Sequence, residues 1–360
     1  MTRALPFALA AVALAAASSV SAQTAGSSVT LYGVVDAYVQ VANGASTLTR
    51  VQSGGLNGSR FGLRGSEDLG GGLRAIFQIE SGINLDDGTF GQNAFWGRQA
   101  FVGINSATLG QLTLGRQYGS IYNLSADFSE FTNGPTGAST AVIGGFGGYE
   151  PVRGSAATAT GNGGPARNNN SIKYETPNLA GFKAGALLGL GEVSGGTNET
   201  RVADVYGRYT AGPLDVMVSL VDDRSAAANL AVRTTSAAAA YTFGDWRVTG
   251  GAMAVNDRTA TNVDGEGYWL GGDYRFGGVH TVKAQYVLSK LKDGDGKTQA
   301  LGVGYQYDFS KRTALYSSLT RFSNEGAGYA NRWASAMPAN LSSATDRDIT
   351  EFVAGIRHTF

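Results

Sequence analysis

The chain has 360 residues, and its 28 Lys and Arg balance 28 Asp and Glu, so global charge singles out no nucleic-acid or acidic partner. The absence of cysteine excludes a disulfide framework, a Cys-based metal site and a thiol nucleophile. Its 53 glycines follow no fixed period, which excludes collagen, while 16 Tyr and 16 Phe argue against a disordered chain.

Residues 1–22 read as an export signal. Arg3 supplies the positive start, Leu5 to Ala17 the apolar stretch, and Val20-Ser21-Ala22 the small-residue cleavage site, so the mature chain is expected to begin at Gln23. The apolar stretch is short for a spanning helix, and no later run is long enough to make one. Residues 23–360 are expected to form one domain.

That domain divides into sixteen strand-like segments: 29–42, 59–68, 72–84, 97–107, 110–118, 170–178, 181–192, 200–210, 213–224, 233–243, 246–257, 267–276, 280–293, 297–309, 313–324 and 348–360. Period-2 alternation is the signal. Leu301, Val303, Tyr305, Tyr307 and Phe309 share one face, opposite Gly302, Gly304, Gln306 and Asp308. The last segment alternates Phe352, Ala354, Ile356, His358 and Phe360 with Glu351, Val353, Gly355, Arg357 and Thr359. No helix is expected. Short turns, such as 68–71, 107–110 and 310–312, mostly alternate with long connections at 43–58, 85–96, 119–169, 193–199, 225–232, 258–266 and 325–347; the connection at 294–296 breaks the rule. A sheet that is apolar on one side, wet on the other and has no open edge is a transmembrane β-barrel. An even strand number places both termini on the short-turn, periplasmic rim.

The longest connection, 119–169, is the outlier, and a loop of that length is usually functional or disordered. Its first part, Ile121 to Phe131, mixes apolar and acidic residues and suits a segment packed on a wall; the Gly-, Ala-, Thr- and Asn-rich remainder reads as exposed. Strand parity assigns Arg60, Arg64, Arg74, Gln78, Glu80 and Arg98 to the lumen, and Phe61, Leu63, Phe77 and Phe101 to the outer face. Arg208, Lys283 and Arg357 also take lumen parity, against Asp36, Asp204 and Glu351. Arg116 shares parity with Leu112 and Leu114 and is expected to point outward.

Several segments resemble the Gram-negative general porins of the beta-proteobacterial (neisserial and burkholderial) branch. The residues that carry the resemblance run in order: Ser28-Val29-Thr30-Leu31-Tyr32-Gly33-Val34-Val35-Asp36-Ala37, then Ser59 to Leu73, Gly97-Arg98-Gln99-Ala100-Phe101-Val102-Gly103, Leu114-Gly115-Arg116-Gln117-Tyr118, Asn169 to Tyr174 and the terminal Phe360. The resemblance implies an all-β, 16-stranded antiparallel transmembrane barrel that assembles as a homotrimer, with one long loop folded inward to form a constriction. It implies basic wall residues facing acidic loop residues. Arg60 and Arg98 fall on matching positions, Arg167 is the third candidate, and Arg64 and Arg74 lie nearer the short-turn end. Asp127 and Glu130 are the acidic candidates, although this loop departs from the enterobacterial Pro-Glu-Phe-Gly-Gly pattern. Phe360 would be read by the outer-membrane assembly machinery, and the outer face would meet lipid and lipopolysaccharide. Arg116 is expected to pair across the trimer contact, with Asp86 or Asp87.

The function expected is passive diffusion of ions and small hydrophilic solutes with mild anion preference. The alternative is a substrate-specific channel for a small anionic solute or nutrient. An enzyme on a smaller barrel and a secreted all-β adhesin fit less well. No Ser-His-Asp arrangement is evident, His280 and His358 lack metal-ligand spacing, and Asp293-Gly294-Asp295-Gly296 lacks the full calcium-loop pattern. No enzyme activity, cofactor, metal or nucleic-acid partner is therefore expected.

Overall fold

The structure is a computed structural model describing residues 26–131, 136–138, 166–192, 194, 201–224, 231–258, 264–292, 294–326 and 348–360. The predicted signal, residues 1–22, and most of the second part of the 119–169 connection lie outside the described residues.

Seventeen strands and one helix follow one another along the chain. They are β1 (Ser28–Asn43), β2 (Thr47–Ser53), β3 (Arg60–Gly70), β4 (Leu73–Gly82), β5 (Gln99–Ser106), β6 (Gly110–Tyr118), α1 (Ser120–Phe128), β7 (Arg167–Glu175) and β8 (Phe182–Gly189). Then come β9 (Val202–Ala211), β10 (Leu214–Arg224), β11 (Ala231–Phe243), β12 (Trp246–Asp257), β13 (Gly265–Phe276), β14 (His280–Leu291), β15 (Lys297–Asp308), β16 (Thr313–Glu325) and β17 (Ile349–Thr359). Each pairs antiparallel with its neighbours, and β17 returns to β1 in register from Val34↔Thr359 to Asn43↔Thr350. Closure leaves no open sheet edge to be desolvated in lipid.

The seventeen segments make sixteen staves. The lower half of β1 pairs with β3 and its upper half with β2, so β2 and β3 are one stave interrupted at residues 54–59. The break is held by Asp36, buried on β1. Its carboxylate accepts the N–H groups of Gly55 at 3.1 Å, Leu56 at 3.0 Å and Asn57 at 2.9 Å, and the Tyr316 hydroxyl at 2.6 Å. Gly54 takes φ +83, where a side chain would be strained. Sequence reading placed 43–58 in a single loop. The structure corrects this: a tight turn leads into β2, and the Gly54-Gly55 break hides so short a strand from a periodicity count.

Alternation sorts the two faces. Val303 and Leu301 of β15 are about half exposed on the outer face, and so are Leu112 and Leu114 of β6. On β11 to β15, outward aromatics near the short-turn rim form a contact chain: Trp246 to Tyr274 at 4.4 Å, Phe276 to His280 at 4.9 Å, and Tyr307 to Phe309 at 4.9 Å between ring centroids. Amphipathic rings in such a belt mark a membrane–water boundary.

One parity assignment is overturned. Phe101 pairs with Gln78 and Val102 with Phe77, so Phe101 lies on the lumen side, and Val102 and Ile104 form the outward row of β5. Two adjacent apolar residues leave the period ambiguous over so short a strand. Arg98 precedes β5, and its direction is fixed by its own bonds rather than by strand parity. The structure also contains a helix where none was expected. In α1, Ile121, Leu124, Ser125 and Phe128 are buried at helical spacing, a stripe too short to stand out in sequence.

Candidate functional site

The chain leaves β6 at Gly119 and turns into the barrel. The Ser120 N–H donates to Asp204 Oδ2 on β9 at 2.6 Å. Ile121, Leu124 and Phe128 are fully buried in one apolar cluster with Met217, Val221 and Trp269 of the inner wall. Trp269 Nε1 donates to the Phe128 carbonyl at 2.8 Å. Beyond the helix, Gln285 Oε1 accepts the Ser129 hydroxyl at 3.1 Å and the Glu130 N–H at 3.0 Å. Phe131 lies over Gly302 and Gly304 of β15, where a Cβ would come within 3.0 and 3.1 Å of its ring. The segment then reaches the far wall: Thr136 Oγ1 donates to the Gly55 carbonyl at 2.8 Å, and the Gly137 N–H donates to Glu351 Oε1 at 3.1 Å. Residues 120–137, as far as they are described, therefore lie across the lumen.

Three of the five predicted basic residues converge beside this segment. Arg98, almost fully buried, places Nε 2.7 Å from Glu80 Oε1 and donates through Nη2 to the Tyr122 hydroxyl at 3.0 Å. Arg60 Nε lies 3.7 Å from Glu80 Oε2. Tyr118 also donates to Glu80 Oε1, at 2.6 Å, and stacks on Tyr122 with 3.6 Å between centroids. The Arg167 guanidinium lies 5.3 Å from the Tyr118 ring and 5.5 Å from the Tyr122 ring, and no carboxylate pairs with it among the described residues. The cluster thus sets three guanidiniums against one carboxylate.

The other two basic candidates stand apart. Arg64 lies over the Tyr32 ring at 5.2 Å, one tier toward the short-turn rim. Arg74 pairs in register with Asp68 and Asn105 beside the 70–73 turn, outside the cluster.

The predicted acids do not face these arginines. Asp127 pairs with Arg208 at 2.6 Å, and Arg208 also donates to Asp215 Oδ1 at 2.8 Å. Glu130 Oε1 accepts Thr249 Oγ1 at 2.7 Å and lies 3.6 Å from Arg247 Nη1. Arg247 also donates to the Asp127 carbonyl, and Lys283 Nζ reaches the Glu130 carbonyl at 3.3 Å. Burial pushes the Glu130 carboxyl above its ordinary value despite these cations. A second basic group on β9, β12 and β14 therefore covers both loop acids. Sequence parity had found Arg208 and Lys283 but missed Arg247, which alternates with Val248 and shares the lumen face of Thr249.

Arg116 pairs in register with Ala100 on the outer face, next to the bulge after Gly115. Its Nε donates to the Gly97 carbonyl at 2.8 Å and its Nη1 to Asn169 Oδ1, so its partners in this chain are neutral. Asp86 accepts instead from Gln52 at 3.1 Å, and Asp87 from the Thr89 N–H at 2.8 Å. Phe360 exchanges backbone hydrogen bonds of 3.1 Å with Gly33, and its half-exposed ring lies where a Cβ on Gly33 would stand.

Such an arrangement makes and breaks no covalent bond. It sorts ions and solutes by width and by charge at a narrow point. Comparison with known proteins agrees. The Gram-negative porin family matches residues 8–327. Outer membrane porin protein 32 of Delftia acidovorans is 33% identical over 361 residues, covering 97% of this chain and 99% of that protein. An outer membrane porin protein of Bordetella pertussis is 32% identical over 416 residues, covering 98% and 99%. Among solved structures, an anion-selective porin from Comamonas acidovorans superimposes with a TM-score of 0.76 at 28% identity, covering 93% and 100%. OmpT of Vibrio cholerae, in a trimer form, shares the fold with a TM-score of 0.65 at 16% identity, covering 93% and 100%. The chain belongs to the Gram-negative porin family, passive channels of the bacterial outer membrane.

Proposed function

We propose that this porin prefers anions, and that Arg60, Arg98 and Arg167 set the preference. One observation carries the reading. The three guanidiniums face a single carboxylate, Glu80, while the loop acids Asp127 and Glu130 are held on a separate basic group. An anion passing the cluster meets a net positive field, and a cation meets the same field with the sign reversed. The anion-selective porin of Comamonas acidovorans, similar to this chain along nearly its whole length, supports the same reading. Reversal potential in a planar bilayer under a KCl gradient tests it; a cation-favouring potential would refute it.

A second reading is a channel for a particular small anionic solute. The stacked Tyr118 and Tyr122 rings between Arg98 and Arg167 favour it, because flat rings beside fixed guanidiniums suit a planar anion. Saturation of conductance by one organic anion at millimolar concentration would support it, and a linear dependence would not. The protein carries out no enzymatic step in either reading.

Assembly follows the same family logic. Residues 1–22 act as a cleaved export signal, the mature barrel forms a homotrimer like the trimeric neighbour, and Phe360 is presented to the outer-membrane assembly machinery. The outward Arg116 belongs to the trimer contact, and the remaining outer face meets lipid and lipopolysaccharide.

A further inference from the structure

Above the apolar band of the outer wall, four outward residues stand at one level on four successive strands. Glu266 on β13 is directly opposite Lys290 on β14, Lys290 is opposite Lys297 on β15, and Lys297 is opposite Glu325 on β16. Lys292, just past β14, joins them, with Nζ 3.7 Å from Glu266 Oε1. Lys290 Nζ lies 3.3 Å from Glu266 Oε2, and Lys297 Nζ lies 3.1 Å from Glu325 Oε1. Three ammonium groups therefore share two carboxylates. All three lysine side chains stay open, at 49%, 43% and 35% relative exposure.

Two features make this more than a solvated rim. Lys290 and Lys297 are cross-strand partners about 4.8 Å apart along the ladder direction, and like charges in that position destabilise a sheet unless an anion lies between them. The depth is also defined. Tyr268 and Tyr286 share the outer face just below, with hydroxyls 2.8 Å from Glu266 Oε2 and Gln299 Oε1. Leu270, Leu301 and Leu319 continue the face downward, all about half exposed or more. Outward tyrosines mark the boundary between hydrocarbon and headgroups. The lysines lie at the long-loop end of their strands, the extracellular side in this class of barrel.

We propose that Lys290, Lys292 and Lys297 bind the phosphate groups of a phosphorylated glycolipid in the outer leaflet, its acyl chains lying along Leu270, Leu301 and Leu319. This rests on the reading that this face meets lipopolysaccharide. Ammonium groups at headgroup level attract phosphate, and the leucine column gives the same molecule a place for its tails. Glu266 and Glu325 hold the lysines in place when no lipid is bound and compete with phosphate for them.

Native mass spectrometry of the folded protein in detergent tests the proposal, with bis-phosphorylated lipid A, its dephosphorylated counterpart and inorganic phosphate as probes. The combined variant Lys290→Gln, Lys292→Gln, Lys297→Gln should weaken lipid A retention on the order of 100-fold, since each lysine near an anionic lipid surface contributes roughly fivefold. The combined variant Glu266→Gln, Glu325→Gln should retain it more tightly. Lys311→Gln with Arg312→Gln, in the turn on the opposite rim, should behave like the parent, and single-pore conductance should be unchanged in all three, which confirms folding. Parent-like retention in the lysine variant overturns the site while leaving outer-leaflet lipid contact standing. Failure of the parent to retain lipid A defeats the lipopolysaccharide reading itself. Equal retention of the dephosphorylated lipid removes the phosphate from the argument, and equally tight inorganic phosphate removes the lipid.

Discussion

Replacing Arg167 with glutamine removes one of the three guanidiniums set against Glu80 and leaves the wall contacts of the inner loop in place. The side chain is positioned by the paired Tyr118 and Tyr122 rings, 5.3 and 5.5 Å from its guanidinium carbon, and not by a described carboxylate. An ion passing about 5 Å away in a water-filled lumen feels roughly 0.8 kcal/mol from that charge. A Debye length of about 10 Å at 0.1 M salt reduces this to roughly 0.5 kcal/mol. The sign reverses for a cation, so the anion-to-cation difference falls by about 1 kcal/mol and the permeability ratio roughly fivefold. The assay is the reversal potential of single channels under a KCl gradient. At 1 M salt, where the Debye length is about 3 Å, the effect should nearly vanish. Arg167→Lys keeps the charge and should keep most of the preference. A permeability ratio that moves less than twofold at 0.1 M, or an equal loss in the lysine variant, would show that the charge of Arg167 does not act on passing ions.

Three further outcomes follow from the geometry. Arg247→Gln takes a cation from beside Glu130 and a donor from the Asp127 carbonyl; the exposed loop charge should lower anion preference in the same bilayer assay, and an increased preference would contradict the assignment. Asp36→Ala leaves the N–H groups of Gly55, Leu56 and Asn57 and the Tyr316 hydroxyl without their acceptor. Unmet buried donors cost about 1–3 kcal/mol each, so the barrel should unfold at visibly lower temperature or denaturant on heat-modifiability gels, whereas an unshifted midpoint would show that the β2–β3 break holds itself. Arg116→Ala should lower the melting temperature of the trimer without changing single-pore conductance, and unaltered trimer melting would remove Arg116 from the contact.

The barrel was legible because lipid imposes a strict rule on it: each wall strand must alternate, and the alternation extends over eight or more residues in most of them. Where the run is shorter or interrupted, the signal fails. Thr47–Ser53 is a strand of seven residues ending at two glycines, and its alternation was absorbed into a loop. On β5 the adjacent Phe101 and Val102 fit either phase, and only the register against Gln78 and Phe77 decides between them. Arg60, Arg98 and Arg167 could be named from motif positions and strand parity. Their convergence on Glu80 could not, because it depends on how far the strands shift along one another and on the Tyr118–Tyr122 stack. The partners of Asp127 and Glu130 were hidden for a different reason. They come from β9, β12 and β14, more than 75 residues away in the chain, and only α1, whose apolar stripe is three residues wide, brings them together.

The most direct test of the account is the reversal potential of the purified protein in a planar bilayer under a KCl gradient, measured on the parent and on a variant lacking the charges of Arg60, Arg98 and Arg167 together. The account predicts an anion-favouring potential in the parent that collapses toward zero or reverses in the triple variant, with the pore still conducting. A cation-favouring potential in the parent, or an anion preference that survives removal of all three arginines, would contradict it.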